Sequence, residues 1–518
     1  MPNLNVTVTA TFEPGAADMT WFDIQHAFDA GDDVTLTNDV TAPAGATRLK
    51  VYAYNYKTDT WGKSVKLDLN GHILSRGLSS PTEDGQVIYV YGATLTLKDG
   101  NPTATHSGTS LTGGILTGGY SGTSEYNGDG GGILVEELNE SYPSILIMEG
   151  GTIAGNKTTY EGAGVRVLAH SNSSNYNRYA AFEMIGGMIT DNECTGDSGV
   201  GGGVSIRDGW SGAKSYFKMT GGTISNNRAK TAGGLETHSD AIVNIDNVDV
   251  PTVSISGGSI INNTATEKAG GIYAHNIINL SGNPDISGNT GGGSDSNIYL
   301  DRYYDNGYKP CTINIVGNLT NTTPIGVFVC DETKPQGGVA RVITSNLGDF
   351  GSEVNFVSDQ GYSTCLENGE AAFYILPSLT LHETKVLGET KYVCTFYHSA
   401  LAFQLSEGAK AYTVHLDGEG ADAAAVFYRI GDDSDIIPAD CPVVIISDTE
   451  NATITQTTFT GNKDANNVLR ALTTAKYWLH EDGKYPYGLY QSNGSISFIK
   501  LYESQYMEYP AGTVYLLK

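Results

Sequence analysis

Apolar and polar positions recur together along the middle of the chain. Met148, Gly150, Gly151, Ile153 and Asn156 return as Met184, Gly186, Gly187, Ile189 and Asn192. They return again as Met219, Gly221, Gly222, Ile224 and Asn227, and then as Ile255, Gly257, Gly258, Ile260 and Asn263. The first glycines of successive copies lie 36, 35 and 36 residues apart, and a worn copy from Gly282 to Asn289 follows after 25. A second apolar stretch follows a glycine run in each copy: Ile133 after Gly130, Val165 after Gly162, Val204 after Gly201, Leu235 after Gly233 and Ile272 after Gly270. These stretches are rich in β-branched residues and too short for helices, so they predict short strands. A fixed period of this length is the signature of stacked repeats. The expected fold is all-β, a right-handed parallel β-helix in which each turn pairs with the next about 4.8 Å away.

The recurring asparagines fit such a stack. Asn156, Asn192, Asn227, Asn263 and Asn289 would fall at one corner of successive turns, where amides can satisfy one another. They read as a structural column, not as catalytic residues. The pairing of Ile-x-x-Asn with Gly-Gly-(Ile/Leu/Val), over about residues 110–300, resembles the repeats of chlamydial polymorphic outer-membrane proteins and of adhesin-like β-helix proteins of gut microbes, with Ile where those repeats carry Phe. The resemblance implies the same fold and a role in surface recognition.

The ends differ from the middle. Trp21, Ile24 and Phe28 fall on one helical face, with Thr20 placed to cap the start and Gly31 to end it. Such a helix would close the open end of the first coil. From Val65 to Ile73 apolar and polar residues alternate as in an early coil, and His72 there reads as structural. The expected organisation is an N-terminal strand and capping helix (1–33), the β-helix (34–310), irregular closing coils (311–400) and a C-terminal antiparallel β domain, sandwich-like (401–518). In the last part, the phrase around Pro438 and Ala439 returns 72 residues later as Pro510 and Ala511. It resembles the C-terminal β module of many secreted Bacteroidales proteins.

Charge narrows the partners. The net charge is −27, with 57 acidic against 30 basic residues. That excludes a phosphate-tracking nucleic-acid groove, which needs clustered Lys and Arg. No run of about 18 apolar residues exists, so no membrane insertion by a helix is expected. The first nine residues lack a basic start and an apolar core. Two expectations follow: a leader already removed, or release without one, as for a phage virion protein freed by lysis. The six cysteines, Cys194, Cys311, Cys330, Cys365, Cys394 and Cys441, show no zinc or redox spacing. They read as small buried hydrophobes, with a disulfide among the middle four left open.

Chemistry is harder to place. Asp32, Asp33, Asp191, Glu236, Asp240, Asp246, Asp249 and Asp301 are candidate carboxylates, yet none recurs at the repeat spacing beside a second acid and a base. No cofactor is expected. Calcium is the one ion left open, at the turn from Asn127 to Gly132 or at Asp432, Asp433 and Asp435. Two aromatic groups suit sugar stacking. One is Tyr299, Tyr303, Tyr304 and Tyr308 beside Asp301; the other is Tyr477, Trp478, Tyr485, Tyr487 and Tyr490. The expected function is therefore non-catalytic recognition of a glycan or cell-surface receptor by an extracellular, adhesin-like protein. Two alternatives stay open: a phage tail fibre or tailspike, which would be a homotrimer in the virion, and a polysaccharide lyase or glycoside hydrolase.

Overall fold

The computed structural model describes residues 18–52, 54–55, 60–123, 129–137, 142–170, 179–208, 215–238, 242–245, 248–304, 307–336, 339–375, 377–386, 389–418, 424–430, 435–457, 463–471, 486–492, 495–500 and 514–517. The chain forms two compact units: Met1–Ile272 with Asn289–Gly293, and Tyr273–Gly288 with Ser294–Lys518. The protein is all-β, with long parallel sheets. No helix among the described residues is long and apolar enough to cross a membrane.

In the first unit the chain visits four parallel sheets in turn, the topology of a parallel β-helix. Successive copies of the repeat pair in register. Met148 lies opposite Met184 and Met184 opposite Met219, while Ile153, Ile189, Ile224 and Ile260 form a second column. All of these side chains are buried. The strands Ile133–Glu137, Val165–Ala169, Val204–Asp208 and Leu235–His238 pair likewise. Their first and third residues form the inner columns Ile133, Val165, Val204, Leu235 and Val135, Val167, Ile206, Thr237.

The glycine runs are part of this packing. A Cβ on Gly203 would lie 2.7 Å from the Gly234 carbonyl oxygen, 2.8 Å from Ile224 Cγ2 and 2.9 Å from Asn227 Nδ2. The same three kinds of neighbour crowd Gly132 and Gly164. The two halves of the repeat thus press on each other, and only a residue without a side chain fits between them. The asparagine column makes the corner self-sufficient. Nδ2 of Asn156, Asn192, Asn227 and Asn263 each donates to Oδ1 of the next asparagine, at 3.0 to 3.1 Å. The same oxygens accept the backbone N–H groups of those four residues.

The helix Trp21–Ala30 closes the first coil. Thr20 and Asp23 form a capping box, and Gly31 ends the helix at φ 75°. Trp21, Ile24 and Phe28 are buried. Gln25 completes the cap chemically: its amide donates to the Lys50 carbonyl at 3.0 Å and accepts the Lys50 N–H at 2.8 Å. One side chain thereby pairs with the outermost strand Leu49–Tyr52 as another strand would, which blunts the edge. His72 sits in a turn, with Nδ1 3.4 Å from Asp39.

The second unit begins with further parallel strands, Ile278–Gly282, Ile313–Leu319 and Thr344–Ser345 in one sheet, and Ile298–Leu300, Ile325–Val329 and Phe356–Ser358 in another. Antiparallel sheets follow. The largest joins His382–Val386, Glu389–Phe396, Val443–Ser447, Ala409–Asp417 and Ala424–Arg429. It begins ahead of residue 401 because Tyr392–Phe396 pairs with Val443–Ser447. All six cysteines are free and buried.

Candidate functional site

The first aromatic group falls in the second unit. Tyr299 is buried, stacked on Phe328 at 5.1 Å and packed 5.3 Å from Tyr273. Asp301 accepts the Tyr273 hydroxyl and stands 3.8 Å from His275 Nδ1. Arg302, Tyr303 and Tyr304 form one arm of a hairpin whose other arm is Tyr308–Pro310. Tyr308 is 68% exposed, with the Arg302 guanidinium 4.3 Å from its ring centre. So Tyr299 supports the sheet and Tyr308 faces solvent, while the Tyr304 side chain lies outside what the structure describes. In the second group, Tyr477, Trp478 and Tyr485 lie outside the described residues. Tyr487 packs against a core that includes Val393, Val414 and Leu516, and Tyr490 lies on the strand Pro486–Ser492.

A denser array lies in the first unit and was missed by sequence reasoning. It sits on the outer face of the sheet containing Leu49–Tyr52, Ile88–Tyr91, Ile133–Glu137, Val165–Ala169, Val204–Asp208 and Leu235–His238. Strand alternation turns every second residue outward. Register therefore places Lys50, Tyr89, Leu134, Arg166, Ser205 and Glu236 in one row. Tyr52, Tyr91, Glu136, Leu168, Arg207 and His238 form the next.

Hydrogen bonds and ion pairs link these rows. Glu136 accepts the Tyr89 hydroxyl at 2.8 Å and pairs with His170 Nε2 at 2.9 Å. Arg166 stands 3.3 Å from Asp129 and donates to Ser205 Oγ at 2.6 Å. Ser205 in turn donates to Glu236 at 2.7 Å. Glu161 is clamped between Arg166 and Arg207. Arg48 lies 4.0 Å from the centre of the Tyr89 ring and pairs with Asp84 at 3.1 Å. At the aromatic end, Tyr89 and Tyr91 stack at 6.0 Å, and Tyr52 meets Tyr91 edge-on at the same distance.

Burial sets the electrostatics. Glu161, Glu236 and Arg166 are 1%, 2% and 3% exposed. Burial raises the Glu236 carboxyl well above the usual range, helped by the charge of Glu161 and opposed by Arg166 and Ser205. Burial also raises Asp129, against the pull of Arg166. Burial would raise Glu136 too, but the hydrogen bonds from His170 and Tyr89 prevail and hold it below the ordinary value. The half-exposed edge of the array consists of Tyr52, Tyr91, Glu136, His170, Arg207 and the more open His238. It offers a ring face, acceptors and donors along one sheet.

Little in this array resembles a built ion cage. Glu236 Oε1 and His238 Nδ1 stand 4.0 Å apart, near enough to share an ion, but Ser205 already engages the other Glu236 oxygen. Asp129 is paired with Arg166, and Asp435 with Arg429 at 2.7 Å. Asn127, Asp432 and Asp433 lie outside the described residues. Of the carboxylates singled out in the sequence, Glu236 and, from the 127–132 stretch, Asp129 belong to the array, while Asp240 and Asp246 lie outside the described residues. A scan of family models, a search of curated proteins and a search of solved structures each found no match to this chain.

Proposed function

We propose that this chain is a non-catalytic, adhesin-like extracellular protein that recognises a glycan or cell-surface receptor along the outer face of its first unit. The observation that carries the reading is the row of Tyr52, Tyr91, Glu136, Arg207 and His238 on one sheet. Strand spacing of about 4.8 Å is close to the length of one sugar residue, so a linear glycan could meet successive strands with successive rings. Tyrosine faces suit the apolar side of a pyranose, and fixed carboxylates, imidazoles and guanidinium groups suit its hydroxyls.

The carboxylates argue against hydrolysis. A glycosidase needs one carboxyl free to donate a proton beside a second that acts as base or nucleophile. Here Glu136 is held ionised by two donors, Glu161 is clamped by two guanidinium groups, and protonation-prone Glu236 is buried. The test is a glycan array with the full chain and its Tyr91→Ala and Arg207→Ala variants. Binding that falls about tenfold in both, roughly 1.4 kcal/mol each, is expected. Unchanged binding in both variants, or release of new reducing ends from a polysaccharide panel, would overturn the reading.

A further inference from the structure

The second unit carries a separate aromatic platform, outside both tyrosine groups marked in the sequence. Strands Ala409–Asp417 and Ala424–Arg429 pair with Thr413 opposite Tyr428. Alternation places Thr413, His415 and Tyr428 on one face of this pair. The His415 and Tyr428 rings stack at 4.0 Å with an interplanar angle of 24°. Tyr428 is 48% exposed, so His415 braces it without covering it.

Asp464 fixes this pair from a neighbouring loop. Its Oδ2 accepts from His415 Nε2 at 2.7 Å and from the Thr413 hydroxyl, and its Oδ1 accepts the Asn466 N–H at 3.0 Å. Partial burial works to raise this carboxyl, but the bonds from Thr413, His415 and Asn466 hold it below the ordinary value. An ionised carboxylate only accepts, so the His415 proton sits on Nε2. Among the described residues the Tyr428 hydroxyl makes no hydrogen bond. The Tyr428 ring thus keeps one face open, held in place from behind by His415, with its hydroxyl at the ring edge.

We infer that Tyr428, braced by His415, is a binding site for a neutral pyranose, the sugar ring stacking on the Tyr428 face turned away from His415 and a sugar hydroxyl bonding the Tyr428 oxygen. Ring stacking with one hydrogen bond and no charge pairing corresponds to a dissociation constant on the order of millimolar or weaker. The site uses no residue of the first unit, so it stands or falls apart from the glycan track there.

The experiment uses the full chain with methyl pyranosides of the gluco, galacto and manno series, read by saturation-transfer NMR and titration. At least one pyranoside binds, its ring protons receiving saturation most strongly. Tyr428→Ala weakens that binding at least about tenfold, and Tyr428→Phe and His415→Ala weaken it by smaller factors. Tyr428→Phe keeps the ring and guards against a folding defect in the alanine variant. Absence of transfer in the unmodified chain, or unchanged affinity in Tyr428→Ala, would overturn the inference.

Discussion

Asn227 donates through Nδ2 to Oδ1 of Asn263 at 3.0 Å, and that same oxygen receives the Asn227 backbone N–H. Each amide in the column therefore satisfies two groups of the preceding turn. Asn227 also donates to the Ile189 carbonyl at 2.9 Å and accepts the Asn192 N–H at 3.1 Å. Asn227→Ala leaves several buried polar groups without partners. Each costs about 1–3 kcal/mol, so a loss of at least about 3 kcal/mol is expected. Denaturant melts combined with hydrogen exchange check this, with faster exchange at Asn192 N and in the adjacent turns. A loss below about 1 kcal/mol would show that the column is dispensable.

Gly203 gives a second prediction, because it lies under the same column. Gly203→Ala forces a methyl into backbone and side-chain atoms at 2.7 to 2.9 Å. No flexible side-chain end can absorb the overlap with the Gly234 carbonyl. The substitution is expected to destabilise the first unit by about 3 kcal/mol, and alanine at Gly45, where nothing lies within 4 Å, serves as a contrast. Gly45 has φ +77°, so its alanine variant still carries the smaller strain of a left-handed backbone. Equal losses at both positions would refute the packing argument.

These features were readable because they repeat. Period, asparagine and glycine run together specify a stacked corner, and the helix from Trp21 carried its own cap and stop. The polar array was not readable in the same way. Glu136, Arg166, Arg207 and Glu236 differ in chemistry from turn to turn, so no motif recurs. The signal lay in position: each is the second or fourth residue of a strand opened by a glycine run, and such residues point outward. Charged residues at those places marked the face, but the inter-strand register was needed to set Glu136 level with Arg207. Asp129 and Glu161 come from isolated bridges between turns, for which the sequence carries no pattern.

Glu161 is the centre of that array. It faces Arg166 and Arg207 while only 1% exposed. Removing one partner of a buried ion pair leaves an uncompensated charge and costs about 3–5 kcal/mol. Glu161→Ala is expected to show that loss. Arg166→Met in the same chain should recover a substantial part of it, since the stranded charge goes too. A double-mutant cycle by denaturant unfolding measures the coupling, expected above about 1 kcal/mol. Additive losses would mean that the two side chains are independent.

His398 supplies a pH-dependent test in the second unit. It is 1% exposed, and its Nδ1 accepts the N–H groups of Ala400 and Leu401 at 3.2 and 3.0 Å. Its Nε2 is buried without a hydrogen-bond partner. Burial lowers its pKa to about 4, against 6.5 for the ordinary group. Between those values the unfolded chain binds the proton more readily than the folded one, so stability rises with pH there. The contribution is fully present above about pH 6.5, falls as pH drops through that window, and is lost below about pH 4, for a total of roughly 3 kcal/mol. His398→Asn keeps a side-chain acceptor for the two N–H groups but cannot titrate. It should be less stable at pH 7, yet lose less stability than the unmodified chain on going from pH 7 to 4. Urea unfolding at several pH values, followed by a probe in the second unit, measures this difference. Parallel curves for the two proteins would show that His398 takes up its proton as easily folded as unfolded.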